Sequence, residues 1–347
     1  MKRYFEDEIV NDILKAVDLA KNIVIITHSN PDGDAIGSVT AFEGYLSSRG
    51  KESITIVPNQ YPDYLSFLDK GKKIHIDEEN PDKTKTYMDR ADLIVALDFN
   101  QLKRVDGLEM HVRESKAVKI LIDHHPGPES EAFNFVVSTT EVSSTCELLY
   151  WLIKKMDHGS KSAMPYIVAK SLYVGMMTDT NNFSNSVHSS TFKMAYDLLE
   201  AGVDKETLQL KVFGGFSEER MRLMGHALLN KMTILKEYGA GFIILTKGDL
   251  EQFGYCEGDT EGFVNMPLNI KGVTISALFS EKEDHIRVSL RSSDDFSVNK
   301  FSKKYFNGAG HERAAGGKLY IPVGDVPQYF EKSLKAMFDK QKRAQDL

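Results

Sequence analysis

The sequence predicts an α/β chain in two domains, an N-terminal one built on a parallel sheet and a smaller C-terminal α/β one. Three observations predict it. The 347 residues exceed the roughly 150 that one domain usually takes. Short apolar runs alternate with helix-like stretches through the first half of the chain, the pattern of a parallel sheet covered on both faces. A helical stretch then interrupts the alternation, and strands return only from Gly241.

Each element has its own signal. Phe5, Ile9, Ile13 and Val17 recur every four residues, as on one face of a helix. IVIIT (Ile23 to Thr27) is a buried strand, too short for an independent helix. A polar, glycine-bearing turn and a helix from about Ala35 to Arg49 follow, closed by Gly50. SITIV (Ser53 to Val57), LIVALD (Leu93 to Asp98), VKILID (Val118 to Asp123) and FNFVVS (Phe133 to Ser138) are further strands. Helical segments dominate from about Ser143 to Lys236. Among them, Ser189-Ser190-Thr191 can cap a helix that Gly202 ends. The Gly214-Gly215 break and the charged stretch from Ser217 suggest an inter-domain connector. The expected division is 1–199, a helical connector over 200–236, and 237–347. In the last part GFIILT, VTISALFS and HIRVSLRS read as strands. They are followed by a helix near Val298 to Tyr305, a glycine-rich loop and a terminal helix from about Val326, with DKQKRAQDL a frayed end.

Composition narrows the function classes. With 41% hydrophobic and 27% charged residues the chain is globular. A formal charge of −7 provides no broad positive field for duplex nucleic acid, although a local basic cluster can grip a short anion. The two cysteines, Cys146 and Cys256, cannot make a disulfide framework and read as buried, inert thiols of a reducing compartment. No run approaches 18 apolar residues, and acids stand where a signal peptide needs an apolar stretch. A cytoplasmic protein without membrane partners is expected.

The chemistry is expected at strand ends, because ligands of open parallel sheets bind beyond the carboxyl ends of the strands. IVIIT is followed by His28-Ser29-Asn30-Pro31-Asp32-Gly33-Asp34, LIVAL by Asp98, and VKILI by Asp123-His124-His125. Asp179, after an apolar helical run, can reach the same edge. Each residue alone has a bland reading as a cap or a turn; their joint arrival does not. Converging carboxylates repel and raise one another's pKa unless a cation intervenes. A carboxylate and imidazole set without thiolate favours manganese, without excluding iron, cobalt or zinc. The ligands suffice for two ions sharing one carboxylate, and such pairs, about 3.5–4 Å apart, suit phosphoryl displacement. Ser144 and Thr145, at a predicted helix start, present backbone N–H groups suited to phosphate and equally suited to ordinary capping.

HSNPDGDAIGS, LD, DHH and TDT, in this order, resemble the four motifs of the DHH phosphoesterase superfamily, and GAGHERAAGG (Gly308 to Gly317) resembles the glycine-histidine motif of the DHHA1 domain. The resemblance implies a catalytic parallel-sheet domain, a substrate-binding second domain, and an active-site cleft between them. It implies that His28 and Asp32 bind one metal, Asp34 and His124 the other, that Asp98 bridges them, and that Asp179 completes the first site. Asp123 would orient its neighbour, and His125 would face the phosphate. Two Mn2+ ions are implied, with Mg2+ or Co2+ as substitutes, and no protein nucleophile. In the second domain Arg291, His311, Gly308 and Gly310 would hold the nucleotide end of the substrate. The implied substrates are short: a dinucleotide such as pApA, RNA of two to five nucleotides, or adenosine 3′,5′-bisphosphate. Hydrolysis of inorganic polyphosphate or pyrophosphate is the alternative, and a non-catalytic nucleotide sensor a weaker one. A homodimer is left open. Two positions depart from the family pattern. Asn307 and Ala309 stand where glycines are usual, and Asn181-Asn182 follow TDT where a glycine is common.

Overall fold

The computed structural model describes residues 4–69, 71, 74–157, 164–214 and 216–345, with side chains through residue 339. It divides into two compact units, Met1–Gly215 and Phe216–Leu347.

The first unit runs α1 (Asp7–Leu19), β1 (Ile23–Ile26), α2 (Gly33–Ser48), β2 (Ser53–Val57), β3 (His75–Ile76), α3 (Pro81–Arg90), β4 (Leu93–Leu97), α4 (Leu108–Glu114), β5 (Val118–Asp123), β6 (Phe135–Ser138), α5 (Thr145–Met156), α6 (Tyr166–Asp179), α7 (Ser189–Glu200) and α8 (Lys205–Phe213). Its strands pair in the order β3-β2-β1-β4-β5-β6, all parallel. Alternate residues feed opposite layers. Ile23 and Ile25 of β1 join a core with Ile13, Phe42, Leu149 and Leu172 from α1, α2, α5 and α6. Val24 and Ile26 join a second core with Met88, Leu108 and Val112 from α3 and α4. All five expected strands form. β3 is an unexpected edge strand, two residues being too few to show periodicity.

Glycines set the spacing of α2 against α6. A Cβ on Gly33 would lie 2.3 Å from Thr178 Oγ1, one on Gly37 2.7 Å from the Ser171 carbonyl, and one on Gly175 2.2 Å from Cys146 Sγ. Only hydrogen fits at each, so the two helices meet nearly backbone to backbone. Cys146 is buried in this seam as expected; Cys256 is exposed, against expectation.

The second unit runs α9 (Glu218–His226), β7 (Met232–Leu235), β8 (Ala240–Leu245), α10 (Lys247–Gln252), β9 (Ile275–Glu281), β10 (Ile286–Ser292), α11 (Val298–Tyr305), β11 (Ala309–Gly310), β12 (Ala314–Leu319) and α12 (Val326–Gln345). The sheet order is β11-β12-β10-β9-β8-β7, antiparallel except for the β8–β9 pair. One face packs on an aromatic core in which the Phe301 and Phe306 rings lie 5.1 Å apart, and Phe279 and Phe330 5.4 Å apart. The other face meets Leu223, Phe263 and Val264.

Two expectations are corrected here. Residues 200–236 do not form one connector. Leu208 and Val212 of α8 belong to the first core, whereas β7 pairs with β8 in the second sheet. Gly215 and residues 346–347 lie outside the described residues, and the C-terminal helix continues to Gln345. The glycine-rich segment Gly308 to Gly317 is a β-hairpin rather than a loop. Its glycines serve packing: a Cβ on Gly308 would lie 1.8 Å from the Gly316 carbonyl oxygen, and one on Gly317 2.4 Å from that of Phe306. No helix among the described residues is long and apolar enough to cross a membrane.

Candidate metal centre

The strand order places a topological switch between β1 and β4, since the chain leaves β1 for β2 on one side and β4 for β5 on the other. His28 follows β1, Asp98 follows β4, and Asp123 is the last residue of β5. Asp32 caps α2, its Oδ1 accepting from the N–H groups of Asp34 (3.0 Å) and Ala35 (3.1 Å). Asp34 lies in the first turn of α2, and Asp179 ends α6.

With His124, the side chains of His28, Asp32, Asp34 and Asp98 converge as two groups that share one carboxylate. Ligand atoms of His28, Asp32 and Asp98 all lie within 4.8 Å of one another, and so do those of Asp34, Asp98 and His124. Asp98 Oδ2 is 3.4 Å from His28 Nε2, and Oδ1 is 3.8 Å from His124 Nε2. Asp98 has a left-handed backbone (φ +67°), a conformation that Asp tolerates better than most side chains. Its N–H donates to the Ile122 carbonyl, and its Oδ1 accepts from Thr145 Oγ1 at 2.9 Å, so backbone and carboxylate are both held.

Asp179 is placed differently from the implied arrangement. Its Oδ2 is 3.2 Å from His124 Nε2, which seats it with the second group instead of the first. The reason is the α2–α6 seam, which carries the end of α6 to the Asp34 side. Asp123 accepts from His125 Nδ1 at 2.7 Å and from the His125 N–H at 3.1 Å, fixing the ring with Nε2 as its other polar atom. His28 Nδ1 lies 2.9 Å from the Ser29 carbonyl, so Nδ1 carries a proton and Nε2 is the atom turned toward the acids.

The electrostatics show a deficit of positive charge. Burial, then the neighbouring Asp98, raises Asp34 to about 7. Burial raises Asp98, with Asp32 and Asp123 adding to it against the pull of His28. Burial brings Asp123 to about 6. Burial and Arg104 act to lower His28, but its hydrogen bond to Asp98 and the charges of Asp32 and Asp98 outweigh them and raise it. Burial, His124 and Arg104 hold His125 well below the ordinary histidine value. Among these acids only Asp32 is pulled down. Its surroundings act to raise it, and His28, the Ala35 N–H and Arg104 prevail.

The N-terminus of α5 is already occupied. The Thr145 N–H donates to Asp34 Oδ2 at 2.6 Å and the Cys146 N–H to Oδ1 at 3.0 Å, while Ser144 caps through the Glu147 N–H. The anion that these amides suit is Asp34, not an incoming phosphate. Arg104 was not legible as part of this site; its only signal is a charge six residues after Asp98.

In the second unit Arg291 is half-buried on the β10 face opposite the aromatic core, with Nη1 donating to the Leu290 carbonyl at 3.0 Å. Arg287 shares that face and pairs with Glu257 at 3.2 Å. The N–H of His311 donates to the Ala314 carbonyl at 2.7 Å, closing the hairpin at Gly310 (φ +156°). The departures from the family pattern have a backbone reason. Asn307, Asn181 and Asn182 have φ of +48°, +46° and +53°, which asparagine accepts almost as readily as glycine.

A doubly wound sheet with an acid and histidine centre at its switch point defines a hydrolase of the metal-dependent phosphoesterase class. Residues 22–176 match the N-terminal domain of the DHH family, and residues 240–340 match the DHHA1 domain. The chain is 29% identical, over 99% of its length and 97% of the relative's, to a bifunctional oligoribonuclease and PAP phosphatase of Thermus thermophilus. It is 38% identical to an exopolyphosphatase-related protein of Bacteroides fragilis of known structure. That match covers 97% of this chain and 98% of the other, with a TM-score of 0.90. RecJ of Thermus thermophilus, crystallised with Mn2+, shares the fold (12% identity, 96% of this chain and 54% of RecJ, TM-score 0.57). The chain belongs to the DHH family, with a DHHA1 domain, and is a phosphoesterase of that family.

Proposed function

We propose that the protein is a manganese-dependent phosphohydrolase of short nucleotide substrates: a dinucleotide such as pApA, RNA of two to five residues, or the 3′-phosphate of adenosine 3′,5′-bisphosphate. The observation that carries the reading is the pair of donor groups sharing Asp98. The donors fit two divalent cations. Carboxylates and imidazoles converge without thiolate, the Nδ1–H of His28 is held by a carbonyl so that Nε2 is the donor atom, and Asp34 and Asp98 are raised for want of positive charge. His28, Asp32 and Asp98 would hold one ion, and Asp34, Asp98, His124 and Asp179 the other. When bound, the ions supply Lewis acidity at the phosphate and at the attacking water. Asp98, common to both groups, would be their shared ligand. His125 keeps its proton on Nδ1 against Asp123 and would face the reacting phosphate with Nε2. Arg291, His311 and the hairpin around Gly308 and Gly310 would bind the nucleotide end, with Arg291 offering a fork for phosphate.

The Thermus relative, an oligoribonuclease and PAP phosphatase, supports this reading. The Bacteroides protein, described as exopolyphosphatase-related, favours a second one, hydrolysis of polyphosphate. Chromatography of products from pApA, adenosine 3′,5′-bisphosphate, pyrophosphate and a short polyphosphate, each with manganese, separates them. Release of AMP from the first two with polyphosphate inert is expected. Phosphate release from polyphosphate alone would overturn the nucleotide reading and leave the metal centre standing.

A further inference from the structure

Arg104 lies in the 3-10 turn Leu102–Val105 that follows Asp98. Its backbone is held from several sides. Leu102 and Val105 are fully buried, the Leu102 N–H donates to Glu129 Oε2 at 3.0 Å, and the Arg104 carbonyl accepts from the Ser29 N–H at 2.8 Å. The last bond ties the turn to the loop carrying His28. The side chain is half-buried, yet it forms no hydrogen bond or ion pair with any described residue. Several other arginines of the chain are engaged. Arg220 donates to three carbonyls, Arg49 pairs with Asp18, and Arg113 pairs with Glu109 and Glu129. The charge of Arg104 is nevertheless felt at His28, Asp32, Asp123 and His125, which span the first donor group and the imidazole beside it.

A half-buried guanidinium is costly to desolvate unless an anion repays it. It cannot ligate a metal. Once cations neutralise the acids, its partner has to be an anion that arrives at the same edge, and its planar fork matches phosphate. We propose that Arg104 clamps the phosphoryl group undergoing hydrolysis, donating hydrogen bonds to its non-bridging oxygens. This rests on the phosphohydrolase reading above and adds a catalytic residue to it. A general electrostatic role, offsetting the acids until metal binds, would give a different pattern. A lysine would then serve nearly as well, and manganese binding would change together with turnover.

The test uses Arg104→Ala and Arg104→Lys in the full chain. With manganese and adenosine 3′,5′-bisphosphate, kcat should fall about 10²–10³-fold in the alanine variant. The lysine variant should recover no more than about tenfold of that loss, because a point charge lacks the fork. Calorimetry with inorganic phosphate on the manganese-loaded protein should show at least about tenfold weaker binding in both variants. Manganese binding without phosphate should stay within about threefold of wild type. Wild-type-like kcat and phosphate affinity in Arg104→Ala, full rescue by lysine, or manganese affinity falling in step with turnover would each overturn the assignment. If the wild-type protein hydrolyses no phosphoester, the functional reading fails. The phosphate titration then decides by itself whether Arg104 holds an anion.

Discussion

Two clusters of charge in this molecule use similar residues to opposite ends. In the second unit Asp249 accepts from His226 Nε2 (2.9 Å), Lys231 Nζ (2.9 Å), and the Thr246 N–H and hydroxyl. Donors exceed acids there. Although burial opposes it, Lys231, Thr246 and His226 hold the carboxyl well below the usual range. At the switch point of the first unit acids exceed donors, and Asp34, Asp98 and Asp123 are all raised. A satisfied carboxylate knots a fold together. A set that remains in mutual conflict after folding is a site built for something absent from the chain itself. The distinction lies in the balance of partners around the acids, since both clusters are shielded from water.

Exchanging single atoms in the two clusters should produce opposite results. Asp98→Asn, which keeps the shape and removes the charge, should lower kcat by about three orders of magnitude or more. The metal-free variant should melt at or above the wild-type temperature, because repulsion has been relieved; a large loss of metal-free stability would show that Asp98 is structural. Next in size, a chelator should abolish turnover and manganese should raise the melting temperature of the wild-type protein, a rise that Asp98→Asn should largely lose. Differential scanning fluorimetry with and without manganese reads both. Arg291→Ala should raise KM about tenfold with a smaller change in kcat; a fall confined to kcat would assign Arg291 to the transition state instead. Asp249→Asn should leave turnover intact and cost about 2 kcal/mol of stability. Its pH dependence has a definite sign. A carboxyl depressed by folding contributes its full stability above its unfolded value, about 4, and loses it as pH falls through the folded value. The gap between wild type and variant in chemical denaturation should therefore be constant from neutral pH to about 5 and close in acid.

Much of this was legible in the residues. Four-to-six-residue runs such as IVIIT and LIVALD mark strands because both faces of a parallel sheet are buried. Residues that follow such runs are delivered to one edge, and that placed His28, Asp32, Asp98, Asp123 and His124. What stayed hidden depends on packing between distant segments. The side of the centre taken by Asp179 follows from how closely α2 approaches α6. The occupant of the α5 N-terminus is Asp34, 111 residues away in sequence from Thr145. Arg104 carries no pattern at all. The hairpin at Gly308 to Gly317 was misread because glycine usually marks turns, whereas here it clears room for α11 against the sheet.

The small-residue seam between α2 and α6 acts as a ruler for the chemistry. Asp34 and Asp179 stand on those two helices, and a Cβ added at Gly175 would press against Cys146 Sγ and come within 2.7 Å of Asp34 Oδ1. Tolerance to mutation should then fall off along this line, at residues that have no side chain to offer a substrate. A survey of inactivating substitutions would mark Gly33, Gly37 and Gly175 as strongly as the ligands. The spacing of the two donor groups is kept by atoms the chain leaves out.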